Sequence, residues 1–185
     1  MAHLVVAWIN VGNDLKIREK LPIHIGEPGS SSIQAYVLHV DGLVRKPLML
    51  TFGDLEKLPQ KDLTHDFTCL EGWTVPAVKW RGVALQTLLL LAEPQPEARY
   101  VQASAGEFSI ALQLESAGHV LLATYLGDAS VPPEHGGPVR LIVPGGDCFM
   151  NIKWLDHLEL CREPGPNTAK TIALGRLPAP EDHGS

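Results

Sequence analysis

Hydrophobic positions along the chain come in short runs punctuated by Gly, Pro and Asx, and their spacing predicts strands alternating with short helices. Tyr36–Val40 has the composition of a strand, turned at Asp41-Gly42 and resumed at Leu48–Leu50. Thr51 followed three residues later by Asp54 is a capping-box pattern, opening a short helix over Phe52–Leu58 that Pro59 stops. Leu63–Thr68 reads as a strand running into Cys69. Leu85, Leu88, Leu89 and Ala92 fall at i, i+3, i+4 and i+7, one face of a buried helix over 85–92. Further strands are expected at Tyr100–Ala103, Phe108–Leu112, Val120–Tyr125, Val139–Val143 and Leu158–Leu160. This order has neither a strict βαβ rhythm nor an unbroken series of strands. It predicts an α+β domain of mixed β-sheets with short helices.

Two segments stand apart. Gly26–Ser32 is flexible in composition and separates an N-terminal arm, residues 1–32, from a domain over residues 33–164. Residues 165–185, rich in Gly, Pro and Ala, are expected to wrap the surface or fray. A length of 185 residues suits one domain. Such a chain buries about 70% of its unfolded surface and needs no disulfide or metal staple. Its 17 glycines and 15 prolines argue for many turns and against a helical bundle.

Charge narrows the function classes. Fifteen Lys and Arg against 21 Asp and Glu give a net charge of −6, which argues against a nucleic-acid footprint. Residues 1–92 carry nine charges of each sign, whereas residues 93–185 carry six positive and twelve negative. Arg140 and Lys153 are two of those six. Three cysteines, Cys69, Cys148 and Cys161, show neither a C-x-x-C pair nor a zinc spacing, which suggests a reducing compartment. No targeting pattern precedes the apolar run Leu4–Val11, and the run Val83–Ala92 is too short to span a bilayer. A soluble, cytoplasmic protein is expected.

Two constellations could carry chemistry. In Asp66-Phe-Thr-Cys69-Leu-Glu71-Gly72-Trp73, a cysteine ends an apolar strand and meets a glycine turn and a large aromatic. Cys69 is either an inert core residue or a soft thiolate ligand. In Glu134–Trp154, Gly136-Gly137-Pro138 turns into a run that buries itself except for Arg140. A buried Arg needs an anionic partner, either an internal carboxylate or a bound anion. Lys153 follows a Gly/Asx loop whose amides could form an anion nest. No His-x-x-x-His pair, G-x-S-x-G, Walker or G-x-G-x-x-G motif is present, and spacing gives no support to a Cys69/His135 thiol hydrolase.

At these segments the chain resembles the sulfite oxidase family of molybdopterin-binding domains. The resemblance is to the small haem-free branch related to the bacterial methionine sulfoxide reductase catalytic subunit. Its ordered motifs are Cys69–Trp73, then Trp80-Arg-Gly82-Val-Ala-Leu85 before a leucine-rich helix, then Leu121-Leu-Ala123. His135–Pro144 and the pair Lys153-Trp154 follow, and Ile17–Pro22 is similar to the family's N-terminal approach to the cofactor. The likeness runs from about Tyr36 to Leu160 and implies a sulfite-oxidase-like fold.

The resemblance also implies roles. Cys69 would be the metal ligand, its thiolate bound to molybdenum, and Glu71 an acid beside it in the catalytic site. Ser104, His135, Arg140, Asn151, Ile152 and Lys153 would join Cys69 in binding Mo-molybdopterin, with Arg140 and Lys153 at the phosphate end. A phosphate dianion is well matched by Arg, Lys and loop amides. The chain departs from the family at Asp147-Cys148-Phe149-Met150, where a glycine and a cation are usual.

The implied activity is that of a mononuclear molybdenum oxidoreductase. It would transfer an oxygen atom, with two electrons, to or from a small sulfur oxyanion or S-oxide. With no C-x-x-C-H haem motif, electrons would pass through a separate partner. The alternative is an inactive or cofactor-binding module that keeps the fold and serves as a subunit or carrier.

Overall fold

The protein is described here by a computed structural model that covers Leu21 and residues 32–175. The expected N-terminal arm, the Ile17–Pro22 segment apart from Leu21, and the chain beyond residue 175 lie outside the described residues.

The first hairpin joins β1 (Val37–Gly42) and β2 (Leu48–Thr51), and Leu38 and Val40 alternate inward along β1. Helix α1 (Phe52–Lys57) begins at Thr51, whose hydroxyl accepts the Asp54 amide at 3.2 Å while Thr51 N–H donates to the Asp54 carboxylate. This is the capping box the sequence predicts. A long hairpin follows, β3 (Gln60–Thr68) and β4 (Thr74–Ala84), with Cys69 in its turn. Helix α2 (Leu85–Ala92) buries Leu85, Leu88, Leu89 and Ala92 as their spacing requires.

A second hairpin comprises β5 (Tyr100–Ala105) and β6 (Phe108–Gln113). The apolar β7 (Leu121–Leu126), the two-residue β8 (Ala129–Ser130) and the short β9 (Arg140–Ile142) come next. The chain closes with β10 (His157–Cys161) and α3 (Thr168–Gly175).

These strands make two five-stranded sheets. One has the order β2-β1-β10-β5-β6, in which β10 returns parallel to β1 and the other pairs are antiparallel. The other has the order β3-β4-β7-β8, with β9 paired to β7 so that Arg140 lies opposite Ala123. The α+β class with mixed sheets and short helices is the one expected from the sequence. A large core packs α2 and the first sheet together, and a smaller one is built around Phe67, Trp80 and Leu126 of the second sheet.

Besides the two-residue β8, which has no pattern to read, and β1, which continues through the expected turn at Asp41-Gly42, two elements differ from the sequence expectation. Strand β4 is missed because Pro76, Lys79 and Arg81 dilute its apolar pattern and a bulge shifts its phase at Ala77 (φ 52°). The Asp66 carboxylate stitches that bulge by accepting the Ala77 amide at 2.9 Å. The second difference is the segment after 165, which was expected to wrap or fray. Residues 168–175 instead form α3, started by the Asn167 side chain, which accepts the Lys170 amide at 3.0 Å. Ala169, Ile172 and Ala173 share one face at helical spacing, so the helix has something to bury.

Candidate functional site

The ends of β3 and β9 and the loop 143–154 converge on a cavity of about 150 Å³. Cys69, Arg140, Asn151, Ile152 and Lys153 all line it. The structure therefore brings five of the sequence-predicted residues together from positions up to 84 residues apart in the chain. An adjoining cavity of about 320 Å³ reaches Asp66 and Gly145–Asp147, and Phe67, Cys69, Cys148 and Asn151 border both.

Cys69 is held by its backbone. Its N–H donates to Trp73 O at 3.0 Å, and Gly72 N–H donates to Cys69 O at 3.0 Å, closing a tight turn in which Gly72 takes a φ of 88°. The half-buried Cys69 Sγ lies 2.9 Å from Cys148 Sγ. Desolvation, and then the hydrogen bond with Cys148, push the Cys69 thiol up to about 11. It is therefore a neutral thiol at pH 7.

Arg140 bears on the two readings its sequence left open. It is 6% exposed, and among the described residues no carboxylate pairs with it. Its guanidinium lies over the rings of Phe67 (4.9 Å) and Trp80 (5.5 Å), and one Nη donates to His135 O at 3.0 Å. The Nε has no hydrogen-bond partner among the described residues. Burial lowers its pKa to about 10, still protonated at pH 7. The guanidinium therefore brings a charge and an unused donor to the edge of the cavity.

Lys153 lines the same cavity, its ammonium donating to Glu134 O at 3.2 Å and lying 5.6 Å from the Trp154 ring. Two cations thus face one cavity in the acidic half of the chain.

Asn151 borders the cavity and also holds its own loop. Its Oδ1 accepts the Val143 amide at 2.8 Å, and its Nδ2 points at the carbonyls of Asp147 and Cys148, so the side chain braces the loop. Of the loop amides, those of Gly146, Met150 and Asn151 donate to carbonyls of this same segment, at Val143, Asp147 and Cys148. Ile152 contributes an apolar wall, and its carbonyl accepts Leu141 N–H at 2.8 Å.

The other predicted residues do not line the cavity. The Glu71 carboxylate is exposed and accepts the Trp73 indole N–H at 2.9 Å. Ser104 pairs with His157 and Ser109 in the first sheet, and its carbonyl accepts Asp156 N–H at 3.3 Å. His135 is buried in the turn Pro133–His135, where its carbonyl holds Arg140.

Sequence reasoning missed Phe67, which stacks on Trp73 (6.1 Å, 16°), and missed α3, whose Ala169, Ile172 and Ala173 cover one side of the cavity. The i, i+3, i+4 spacing of these three was the available signal for α3. It also missed the pairing of Cys69 with Cys148, for which a gap of 79 residues offers none.

Residues 24–169 match the family described as the oxidoreductase molybdopterin binding domain. The chain belongs to that family. Among solved structures it is similar to a chain of the sulfane dehydrogenase SoxCD from Paracoccus pantotrophus, with 28% identity and a TM-score of 0.69. That match covers 76% of this chain and 42% of the SoxCD chain, so this chain spans under half the length of its neighbour.

The cofactor of this molybdopterin-binding domain is Mo-molybdopterin, and the residues present fit it. Cys69 supplies a soft sulfur at the cavity, and Arg140 supplies a buried charge whose Nε has no acceptor among the described residues. The family's W-x-G motif gains a physical meaning here. Trp80 floors the Arg140 guanidinium, while at Gly82 the β7 backbone at Leu122 passes too close for any side chain. Among the described residues no helix is long and apolar enough to cross a membrane.

Proposed function

We propose that this oxidoreductase domain is a mononuclear molybdenum enzyme whose single protein ligand to the metal is Cys69. One observation carries the reading: a half-buried thiol and a buried guanidinium, with no carboxylate partner among the described residues, border the same cavity. When bound, the molybdenum cofactor supplies two-electron oxygen-atom transfer on a small sulfur oxyanion or S-oxide. The likeness to a sulfane dehydrogenase supports a sulfur compound as substrate.

The protein's own part is binding and positioning. Arg140 and Lys153 hold the anionic end of the cofactor through charge-assisted hydrogen bonds, while Phe67 and Trp73 keep water from the Cys69 side. Glu71 fixes the Trp73 indole and acts in the catalytic site through it. His135 acts through its carbonyl on Arg140, Asn151 by bracing the loop, and Ile152 as an apolar wall. Ser104 belongs to the cofactor set only if the first sheet contributes. The domain extends over residues 33–164, with α3 as its cover. Electrons leave or enter through a separate redox partner, and three cysteines outside any disulfide favour the cytoplasm, which fractionation tests.

A second reading, a cofactor-binding module without turnover, draws on Cys148 and Met150, which replace a glycine and a cation. Cys69→Ser separates the two. On the enzyme reading the variant keeps its apo-protein melting temperature and loses the thiolate-to-molybdenum absorption and all oxygen-atom transfer. Wild type that loads the cofactor yet never turns over establishes the module, and a Cys69→Ser protein that still turns over overturns the ligand assignment.

A further inference from the structure

Cys148 has no role in the function proposed above, yet its sulfur lies 2.9 Å from Cys69 Sγ. A disulfide bond needs about 2.05 Å, so the sulfurs are less than about 1 Å from bonding distance. Both backbones are pinned. The Cys69 turn is closed by its bonds with Gly72 and Trp73. Cys148 opens the turn Cys148–Met150, where its carbonyl accepts Asn151 N–H at 3.1 Å. Closure therefore calls for side-chain rotation with the strands and loop in place. Both thiols also border the wider 320 Å³ cavity, which gives a small molecule a route to them. Cys161 is elsewhere, on β10, its thiol directed at Tyr100 O.

We propose that Cys69 and Cys148 are a disulfide-forming site, open as a dithiol and closed by exchange with a low-molecular-weight disulfide such as oxidised glutathione. One protein thiolate attacks the glutathione disulfide, forming a mixed disulfide and releasing one glutathione thiol. The second cysteine then attacks the protein-bound sulfur, forming Cys69–Cys148 and releasing the second glutathione. Two protein thiols are oxidised, one glutathione disulfide is reduced, and the two protons end on the released glutathiones. A dithiol reductant reverses the exchange. On the reading of Cys69 as metal ligand, the closed form protects that sulfur from overoxidation and withholds it from molybdenum until the pair is reduced.

The test uses the full chain, made without cofactor, reduced, desalted and exposed to oxidised glutathione. The expected result is a fall from three titratable thiols to one in denaturant, with a mass loss of about 2 Da. Peptide mapping should find Cys69 joined to Cys148, and dithiothreitol should restore three thiols. Cys161→Ser should fall from two thiols to none, and this arm leaves both members of the pair unaltered. Three persistent thiols, stable glutathione adducts without a cross-link, or a cross-link through Cys161 would overturn the proposal. Closed and reduced proteins are then offered free molybdenum cofactor, and the closed form should show at most a tenth of the thiolate-to-molybdenum absorption of the reduced form. Equal absorption would overturn the withholding role and its absence from both forms would overturn ligation by Cys69, while the thiol count still reports the bond by itself.

Discussion

Gly136 and Lys153 occupy one another's space: a Cβ on Gly136 would lie 2.6 Å from Lys153 Cγ and 2.9 Å from its Cα. Gly136 also caps the turn after His135 with a φ of 95°, and its carbonyl accepts Trp154 N–H at 2.8 Å. The glycine sets how closely the lysine-bearing loop approaches the turn that holds Arg140. Gly136→Ala is expected to cost about 1–3 kcal/mol in backbone strain. It should also displace Lys153 and lower the molybdopterin content of purified protein. Gly106→Ala is the control, with a φ of 54° and nothing within 4 Å of its Cβ. Equal cofactor content in the two variants would remove Lys153 from the cofactor site.

Arg140 should behave as a cofactor residue that the apo-protein carries at a cost. Replacing a buried charge that has no ionic partner with an apolar side chain of similar size is often neutral or stabilising. Arg140→Met is therefore expected to keep or raise the urea midpoint of the apo-protein. Its molybdopterin content should fall at least tenfold, equivalent to about 1.4 kcal/mol of binding. A lowered apo midpoint with full cofactor content would make the guanidinium a structural element instead.

The Cys69 thiol predicts an alkaline limit to apo-protein stability. Its pKa rises from 9.0 to about 11 in the folded chain, through desolvation first and Cys148 second. Between those values the folded state keeps a proton that the unfolded state has released. The resulting stability is complete below pH 9 and is lost as pH climbs toward 11. Urea midpoints at pH 8 and pH 10, under reducing conditions, should fall less in Cys69→Ser than in wild type. Parallel falls would contradict the assignment of the shift to Cys69.

Thr168 anchors the helix that covers the cavity. Its hydroxyl donates to Glu107 O at 2.6 Å and accepts the Ser109 amide at 2.9 Å. Thr168→Ala leaves both groups unmatched, at about 1–3 kcal/mol. The expectation is faster amide exchange over residues 168–175, with the exchange of β5 and β7 unchanged. Uniform loss of protection would show that α3 is part of the global folding unit.

Local chemistry was enough to read much of this protein. The Thr51–Asp54 capping box, the α2 face at Leu85, Leu88, Leu89 and Ala92, and the apolar β7 were all legible because each depends on residues within a few positions of one another. The sequence also singled out Cys69, Arg140 and Lys153, since a thiol at a strand end and cations in an acidic half are visible without a fold. What it could not determine was which partner each one meets. Arg140 was equally compatible with a carboxylate and a bound anion. Only the pairing of β9 with β7 placed it over Phe67 and Trp80, away from the acids of the described chain. Strand β4 was hidden because its bulge is held by Asp66, eleven residues away on the opposite strand. The contact of Cys69 with Cys148 spans 79 residues and has no periodicity to announce it. Short-range propensity encodes elements; the meeting of side chains from β3, the loop after β9 and α3 depends on sheet register and burial, and those exist only once the chain is folded.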